Sequence, residues 1–250
     1  MKENNMRILI TNDDGIAGVG LRYLAEFAKT IGDPLVVAPK VEQSACSHRI
    51  ILRRPFEVKE SDAFSDIGIA AYTVDATPAD CVRFAVSKFS SFDIVLSGIN
   101  HGFNIGDDIA YSGTCAAAFE ANFAKLPAVA FSADLGCLEY ARDNIARAWR
   151  FITGNRLLDH CDMLNVNFPR EPRGIKITRQ GSTFYRDNFI ECGENLYRAS
   201  LYVAHHDNEG NDQSVDTNAV TAGFISVSPL RVSRNDVPAF QKLSGKSENW

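Results

Sequence analysis

The sequence has no CxxC pair and no excess of basic residues. Its six cysteines are widely spaced, which predicts neither a zinc knuckle nor a dense disulfide framework, so we expect reduced thiols. The formal net charge is -5 and the isoelectric point is near 5.6, and both values argue against a nucleic-acid-binding surface. A polynucleotide is therefore not an expected partner.

Long apolar runs are also missing. No uninterrupted apolar stretch approaches the length of a membrane span, and the opening residues MKENNMRILI lack the apolar core and cleavage site of a signal peptide. We therefore expect a cytoplasmic protein with no membrane association. With 45 % hydrophobic residues among 250, the chain has ample apolar material for one large domain or for a domain with an appendage.

Several nucleotide-binding signatures are incomplete or missing. Residues 18–20 read GVG without the full GxGxxG pattern, and no GxxxxGK[ST] loop occurs, which speaks against dinucleotide-binding and P-loop proteins. The carboxylates in TNDDG are consecutive, whereas phosphatases that form an aspartyl-phosphate have DxD spacing. A covalent phosphoenzyme is therefore not the favoured route.

Up to residue 168, apolar segments without polar alternation are separated by stretches with helical spacing. This pattern predicts a parallel sheet covered on both faces, so residues 1–168 are expected to form a Rossmann-like, doubly wound, mostly parallel α/β core. From Pro169 the pattern changes to short alternating segments, GIKITRQ and NLYRASLYVA, which predict hairpins. Residues 169–250 are therefore treated as a C-terminal appendage with a hairpin and a helix, whose late strand FISVSPL returns to the core.

Oxygen-bearing side chains follow three of the predicted strands. Asp13 and Asp14 come after the first strand, Ser44 lies in the loop after the second, and Asn100 ends the strand DIVLSGIN. Parallel strands end at one rim of the sheet, where open α/β sheets bind ligands, and carboxylate, hydroxyl and amide oxygens suit Mg²⁺ or Mn²⁺. Taken alone, the two adjacent aspartates and Gly15 favour a solvated acidic turn, and it is the polar segments after the later strands that favour a metal site instead.

A second polar segment precedes the alanine-rich helix that is predicted from Cys115. Ser112, Gly113 and Thr114 stand at its N-terminus, where exposed N–H groups and hydroxyls favour an anion such as phosphate. Plain N-capping is the alternative role for the two hydroxyls. Asn104, in the loop before this helix, is placed on the phosphate side as well. For His101, both a substrate contact and a structural role stay open.

Several separated motifs occur in one order, and together they are highly specific: RILITNDDGIAGVGLRYLA, VVAPKVEQSACSH, YTVDATPADCVRFA, DIVLSGINHGFNIGDDIAYSGTCAAAFEA and AVTAGFISVSPL. In these motifs the chain resembles the stationary-phase survival protein SurE family of metal-dependent 5′-nucleotidases. The resemblance implies that the metal ligands fall on Asp13, Asp14, Ser44 and Asn100, and that Ser112, Gly113 and Thr114 form the phosphate-side loop.

The resemblance also implies an activity and an assembly. The expected reaction is hydrolysis of nucleoside 5′-monophosphates, often with 3′-nucleotides and in some members short polyphosphate, with one Mg²⁺ or Mn²⁺ per subunit. The expected assembly is a homodimer or homotetramer with an exchanged C-terminal hairpin or helix. The chain departs from the usual pattern near Ser214-Val215-Asp216, where relatives commonly have Thr before the Asp, and at Cys115, where many have Val.

For the reaction, Asp13 and Asp14 are the expected catalytic residues, with Asp13 favoured for orienting or deprotonating the attacking water. Two alternatives remain open. A nucleotide- or phosphate-sensing module would bind a monophosphate without hydrolysing it, and its metal and phosphate ligands would look the same. A polyphosphatase would need a longer basic channel, for which Arg49, Arg53 and Arg54 are the candidates.

Overall fold

The structure is a computed structural model that describes residues 6–89, 91–205, 212–233 and 236–243. The strands in chain order are β1 (Arg7–Thr11), β2 (Asp33–Pro39), β3 (Val58–Ser61), β4 (Ala70–Val74), β5 (Ile94–His101), β6 (Ala128–Ala133), β7 (Met163–Phe168), β8 (Gly174–Ile177), β9 (Tyr185–Gly193), β10 (Leu196–Val203) and β11 (Phe224–Pro229). The α-helices are α1 (Val19–Lys29), α2 (Pro78–Lys88), α3 (Gly113–Phe123), α4 (Leu138–Gly154), α5 (Asp216–Thr221) and α6 (Val237–Leu243).

Within the described residues the main sheet has nine strands in the order β3-β4-β2-β1-β5-β6-β7-β11-β8. Its central strands from β4 to β7 run parallel, while β3 and β11 are antiparallel to their neighbours β4 and β7. Helices α1 and α4 pack on one face, and α2 and α3 pack on the other. The predicted Rossmann-like, mostly parallel α/β fold is confirmed.

The first strand illustrates why the sheet is covered on both sides. Ile8 and Ile10 belong to the core beneath α1 and α4, whereas Leu9 belongs to the core beneath α2 and α3. All three side chains are fully buried, because successive residues of a strand point to opposite faces and each face has its own helical layer. An apolar run without alternation is the expected sequence for such a strand.

Local capping chemistry sets the limits of two helices. Thr77 precedes α2 and its hydroxyl accepts a hydrogen bond from the N–H of Asp80 at 3.2 Å, with Pro78 at the first helical position. The limit of α4 is set at its C-terminus. The helix ends at Gly154 because the backbone at Arg156 turns to a positive φ of 53°, and a short 3₁₀ turn follows.

The C-terminal third is more closely joined to the sheet than its pattern indicates. The expectation of a hairpin at GIKITRQ is wrong, because β8 is an edge strand of the main sheet and pairs in parallel with β11. Alternation predicts a half-buried strand, but it does not identify the neighbouring strand. The return of β11 to the sheet and the β9-β10 hairpin are as predicted. In the described part of the chain, no helix is both long and apolar enough to cross a membrane.

Candidate active site

The site begins where β1 ends in a tight turn. The turn passes through Gly15, whose φ of +88° favours glycine, and the N–H of Ile16 donates to the Pro39 carbonyl at 2.8 Å. The turn therefore brings the β1 end against the β2 end, as the sequence predicts. Asp13 is only 5 % exposed, and its carbonyl accepts from the N–H of Gln43 at 2.7 Å, which attaches the loop carrying Ser44.

The Asp13 carboxylate is oriented by the first turn of α3. The N–H of Thr114 donates to Oδ2 at 3.1 Å, and the Thr114 hydroxyl donates to Oδ1. Burial raises the pKa of Asp13 to about 6 from 3.8, the Thr114 hydrogen bond opposes that rise, and the charge of Asp14 adds to it. A carboxyl group with this pKa can gain or lose a proton close to neutral pH.

Asp14 is less buried and is also in an unfavourable electrostatic environment. Burial is the main cause that raises its pKa and the charge of Glu42 adds to it, while a backbone hydrogen bond from His101 opposes the rise. Within the described ranges, no lysine or arginine forms an ion pair with Asp13 or Asp14. Among the described residues, no ion pair with lysine or arginine therefore offsets the negative charge of these two carboxylates.

The other two predicted ligands lie on the segments that flank these carboxylates. Ser44 is exposed, and its hydroxyl donates to the carboxylate of Glu42. Asn100 ends β5 and donates through Nδ2 to the Gly102 carbonyl at 2.8 Å, so its amide oxygen takes no part in that bond. The ring of His101 accepts from the N–H of Gly136 at 2.6 Å, which favours the structural role for this residue.

These donors fit a hard divalent cation. Two carboxylates with one hydroxyl and one amide oxygen are ligands that Mg²⁺ and Mn²⁺ accept, and such a set leaves positions for water and substrate. The neighbouring Asn12 is fully buried, and its Oδ1 has no hydrogen-bond partner among the described residues. In the same part of the chain, no three or more His, Cys, Asp or Glu side chains are grouped so that they could hold a metal. The predicted ligand set is not such a group, because only two of its four members are carboxylates.

The N-terminus of α3 closes the other side of the site. Ser112 caps the helix by accepting from the N–H of Cys115 at 3.0 Å, and the N–H of Thr114 is used by Asp13. Gly113 lies directly against the carboxylate, since a Cβ there would stand 2.8 Å from the Asp13 Cβ and 2.9 Å from the Cys46 sulfur. Only a glycine at this position allows the helix to approach the β1 end so closely.

Comparison with known proteins identifies the family. The sequence model described as "Survival protein SurE" matches residues 8–187. The chain belongs to the SurE family. It is 40% identical over 240 residues to "5'-nucleotidase SurE" of Deinococcus radiodurans, with 90% of this chain and 87% of that protein covered. It is 37% identical over 249 residues to "5'-nucleotidase SurE 1" of Thermus thermophilus, with coverages of 97% and 98%.

A solved structure agrees with this assignment. The SurE protein from Aquifex aeolicus matches with a TM-score of 0.75 at 30% sequence identity, and 97% of this chain and 100% of that chain are covered. The family resemblance inferred from the separated motifs is therefore confirmed along nearly the whole chain. The fold class inferred from the strand and helix pattern is confirmed with it.

Asn104 lies further along the same rim of the sheet. It is buried and forms hydrogen bonds with side chains of β6 and β7. Its Nδ2 donates to the Ser132 hydroxyl at 2.8 Å, and its carbonyl accepts from the side chains of Asn165 at 2.7 Å and Asn167 at 3.1 Å. Sequence reasoning missed the two β7 asparagines. Asn165 and Asn167 are two positions apart in the otherwise apolar strand MLNVNF, so their side chains lie on the same face of the sheet. Two polar residues at this spacing in an apolar strand could have identified them from the sequence.

A buried carboxylate from the C-terminal third holds the turn that leads into α3. Asp216 is fully buried and accepts from the N–H groups of Gly106 at 3.0 Å, Gly181 at 2.8 Å and Thr217 at 2.7 Å. Gly106 opens the 3₁₀ turn Gly106–Ala110, which runs into Ser112. The sequence analysis gave this aspartate no role, because it lies outside the motifs that carry the family resemblance. Asp216 therefore joins the appendage to the turn that precedes α3.

Proposed function

We propose that this chain is a divalent-metal-dependent phosphomonoesterase that hydrolyses nucleoside 5′-monophosphates to nucleoside and phosphate. The observation that carries the proposal is the pair Asp13 and Asp14, which follow β1 and form no ion pair with a lysine or arginine in the described residues, while Asp13 contacts the N-terminus of α3. Membership of a family whose curated relatives are named 5'-nucleotidase supports the same activity. The proposal extends to 3′-nucleotides and short polyphosphate as additional substrates.

In the proposed site, Asp13, Asp14, Ser44 and Asn100 hold one Mg²⁺ or Mn²⁺ per subunit. When bound, the ion polarises a phosphoryl oxygen and lowers the pKa of a water molecule. Asp13 orients that water and accepts its proton at a carboxylate oxygen, since each oxygen keeps a lone pair beyond its bond to Thr114.

The phosphate side of the site consists of Ser112, Gly113 and Thr114, with Asn104 along the rim. The N–H of Gly113 has no protein acceptor in the described part of the chain, so it is the amide of this turn that is available to a phosphoryl oxygen. The positive end of the α3 dipole adds to that interaction. Ser112 and Thr114 fix the geometry, because their hydroxyls hold Cys115 and Asp13.

We propose that the protein is cytoplasmic and forms a homodimer or homotetramer through the appendage of residues 169–250. The support is the β9-β10 hairpin, which pairs with no other strand in the described part of the chain and leaves Phe189 73 % and Leu201 74 % exposed. Apolar side chains exposed to this extent on a two-stranded ribbon are typical of a surface that a second copy covers. Light scattering of the purified chain, with and without Phe189→Ser and Leu201→Ser, measures this directly.

The decisive experiment is phosphate release from AMP by the Asp14→Asn variant. Asparagine keeps the side-chain shape but removes the negative charge that holds the ion, so Mn²⁺-dependent release should be abolished while the thermal melt remains cooperative. Asp143→Asn is the matched control, because that exposed aspartate on α4 pairs only with its neighbour Arg142. Full activity of Asp14→Asn would refute the assignment.

A substrate panel separates hydrolysis from sensing. Nucleoside monophosphates, 3′-nucleotides and polyphosphates of several lengths are compared with Mg²⁺, with Mn²⁺ and with EDTA. A hydrolase releases phosphate only when an ion is present. A sensing module would instead be stabilised by AMP in a thermal melt without turnover, and a polyphosphatase would prefer longer chains.

A further inference from the structure

A cavity of about 320 Å³ lies beside α3, on the face of the sheet that α2 and α3 cover. Its walls come from the 3₁₀ turn Gly106–Ala110, from α3, and from the segments that follow β8 and β11. None of the predicted metal or phosphate ligands lines it. The cavity is therefore a separate feature, although it borders the turn that leads into Ser112.

One side of the cavity is cationic and rich in hydrogen-bonding groups. Thr178, Arg179 and Gln180 come from the segment after β8, and Arg231 comes from the segment after β11. The guanidinium of Arg179 pairs with Asp212 at 3.2 Å. Arg231 forms no ion pair with any residue that the structure describes, so this wall carries an unneutralised positive charge.

The polar wall is held in place by bonds to the body of the protein. The hydroxyl of Thr178 lies 2.7 Å from those of both Ser226 and Ser228 on β11. The side chain of Gln180 donates to the Gly106 carbonyl at 2.9 Å. A preformed wall of this kind binds a ligand with little further loss of side-chain entropy.

The opposite side of the cavity is apolar and includes an aromatic ring. Ile109 and Leu230 are buried beneath it, and Phe119 of α3 is partly exposed. The Phe119 ring also stacks with His48, at 6.5 Å between ring centres and 30° between planes. The ring is thus fixed between that histidine and the cavity, where it offers a flat apolar surface.

We propose that this cavity is a second ligand site, which binds a small phosphate-bearing molecule with a planar apolar group. Arginine is the side chain best suited to phosphate, because its planar guanidinium donates two parallel hydrogen bonds. A planar group packs against Phe119 and the aliphatic side chains beside it. The volume of 320 Å³ lies at the lower end of the range for small-molecule sites, roughly 300–1,000 Å³, which matches a mononucleotide and not a larger cofactor.

The test is calorimetric titration of the full chain in EDTA with three probes: AMP, adenosine and inorganic phosphate. AMP should bind more tightly than either of the other two, since it alone engages both walls. The charge reversal Arg231→Glu should weaken AMP binding by roughly tenfold or more, the loss expected for a charge-assisted hydrogen bond. Arg150→Glu is the matched control, because Arg150 is exposed on α4 on the opposite face of the sheet.

The same titrations in an Asp14→Asn background separate this cavity from the active site. In that background, Arg231→Glu should still bind AMP more weakly than Arg150→Glu does. When Asp14 is present, both arginine variants should release phosphate at the rate of the parent protein. Arg231→Gln serves as a second variant if the charge reversal lowers the melting temperature. The proposal is overturned if AMP affinity is the same in the Arg231 and Arg150 variants, or if phosphate or adenosine alone binds as tightly as AMP.

Discussion

The buried carboxylate of Asp13 should make the metal-free protein less stable as the pH rises, and Asp13→Asn should remove that dependence. Burial raises the pKa of Asp13 in the folded protein to about 6, against 3.8 for the unfolded chain. Below pH 3.8 the carboxyl group is protonated in both the folded and the unfolded state, so it does not change the free energy of unfolding. Between pH 3.8 and about 6 the unfolded chain loses the proton first, so unfolding becomes progressively more favourable; above pH 6 the penalty is constant.

The two pKa values set the size of the effect. A pKa difference of one unit corresponds to about 1.4 kcal/mol, so the rise from 3.8 to about 6 lowers the free energy of unfolding by about 3 kcal/mol at pH 8. At pH 4.5 the loss is about 1 kcal/mol. The difference in unfolding free energy between variant and parent should therefore change by about 2 kcal/mol between these pH values, in favour of the variant at pH 8. Any pH-independent effect of altered hydrogen bonds to Thr114 cancels in this comparison.

The assay is urea denaturation of parent and Asp13→Asn protein in EDTA at pH 4.5, 6 and 8, with the exposed Asp143→Asn as a control. A difference between parent and Asp13→Asn that stays constant over this range would refute the reasoning. Adding Mn²⁺ at pH 8 should stabilise the parent more than the variant, because a bound cation offsets the buried charge that the variant lacks.

Four further substitutions test the local geometry. Thr114→Val keeps the shape of the side chain but removes the hydroxyl that donates to Asp13, so the Mn²⁺ concentration for half-maximal activity should rise roughly 10- to 100-fold. Thr221→Val is the control: the Thr221 hydroxyl bonds within α5, and its loss should leave that concentration unchanged. Gly113→Ala places a Cβ 2.8 Å from the Asp13 Cβ and should abolish phosphate release. Gly154→Ala, with no atom within 4 Å of the new Cβ, should be neutral or stabilise α4 by up to about 1 kcal/mol in a thermal melt. Thr77→Ala removes the N-cap of α2 and the hydrogen bonds to Asp80 and Arg49. It should lower the free energy of unfolding, measured in urea, by about 1–2 kcal/mol and leave KM unchanged. An unchanged free energy of unfolding would contradict the capping role.

The carboxylate side of the site was predictable because local sequence and sheet topology agree there. Asp13 and Asp14 directly follow a buried strand, Gly15 supplies the turn, and the rule that parallel strands end at one rim brings the segments with Ser44 and Asn100 to the same place. These inferences need only strand ends and glycine chemistry, both of which are visible in the sequence.

Contacts between distant segments were not predictable in the same way. The partner of Thr114 is Asp13, about a hundred residues earlier, and a hydroxyl at a helix start gives no indication of whether it caps, binds phosphate or orients a carboxylate. The edge position of β8 depends on where β11 inserts, which its alternating pattern does not encode. The cationic cavity beside α3 arises from segments after β8 and β11 that meet only in the folded protein.

The bond between Gly106 and Asp216 has a consequence for biosynthesis, because it joins residues 110 positions apart. A ribosome that has translated the chain through β7 has already made every predicted metal ligand, yet the turn before α3 still lacks its buried acceptor. Because Asp216 is translated after all of these residues, the turn before α3 gains its acceptor late in synthesis. A protein shortened before Asp216 would keep the aspartates of β1 but lose the anchor that orders the entrance to α3.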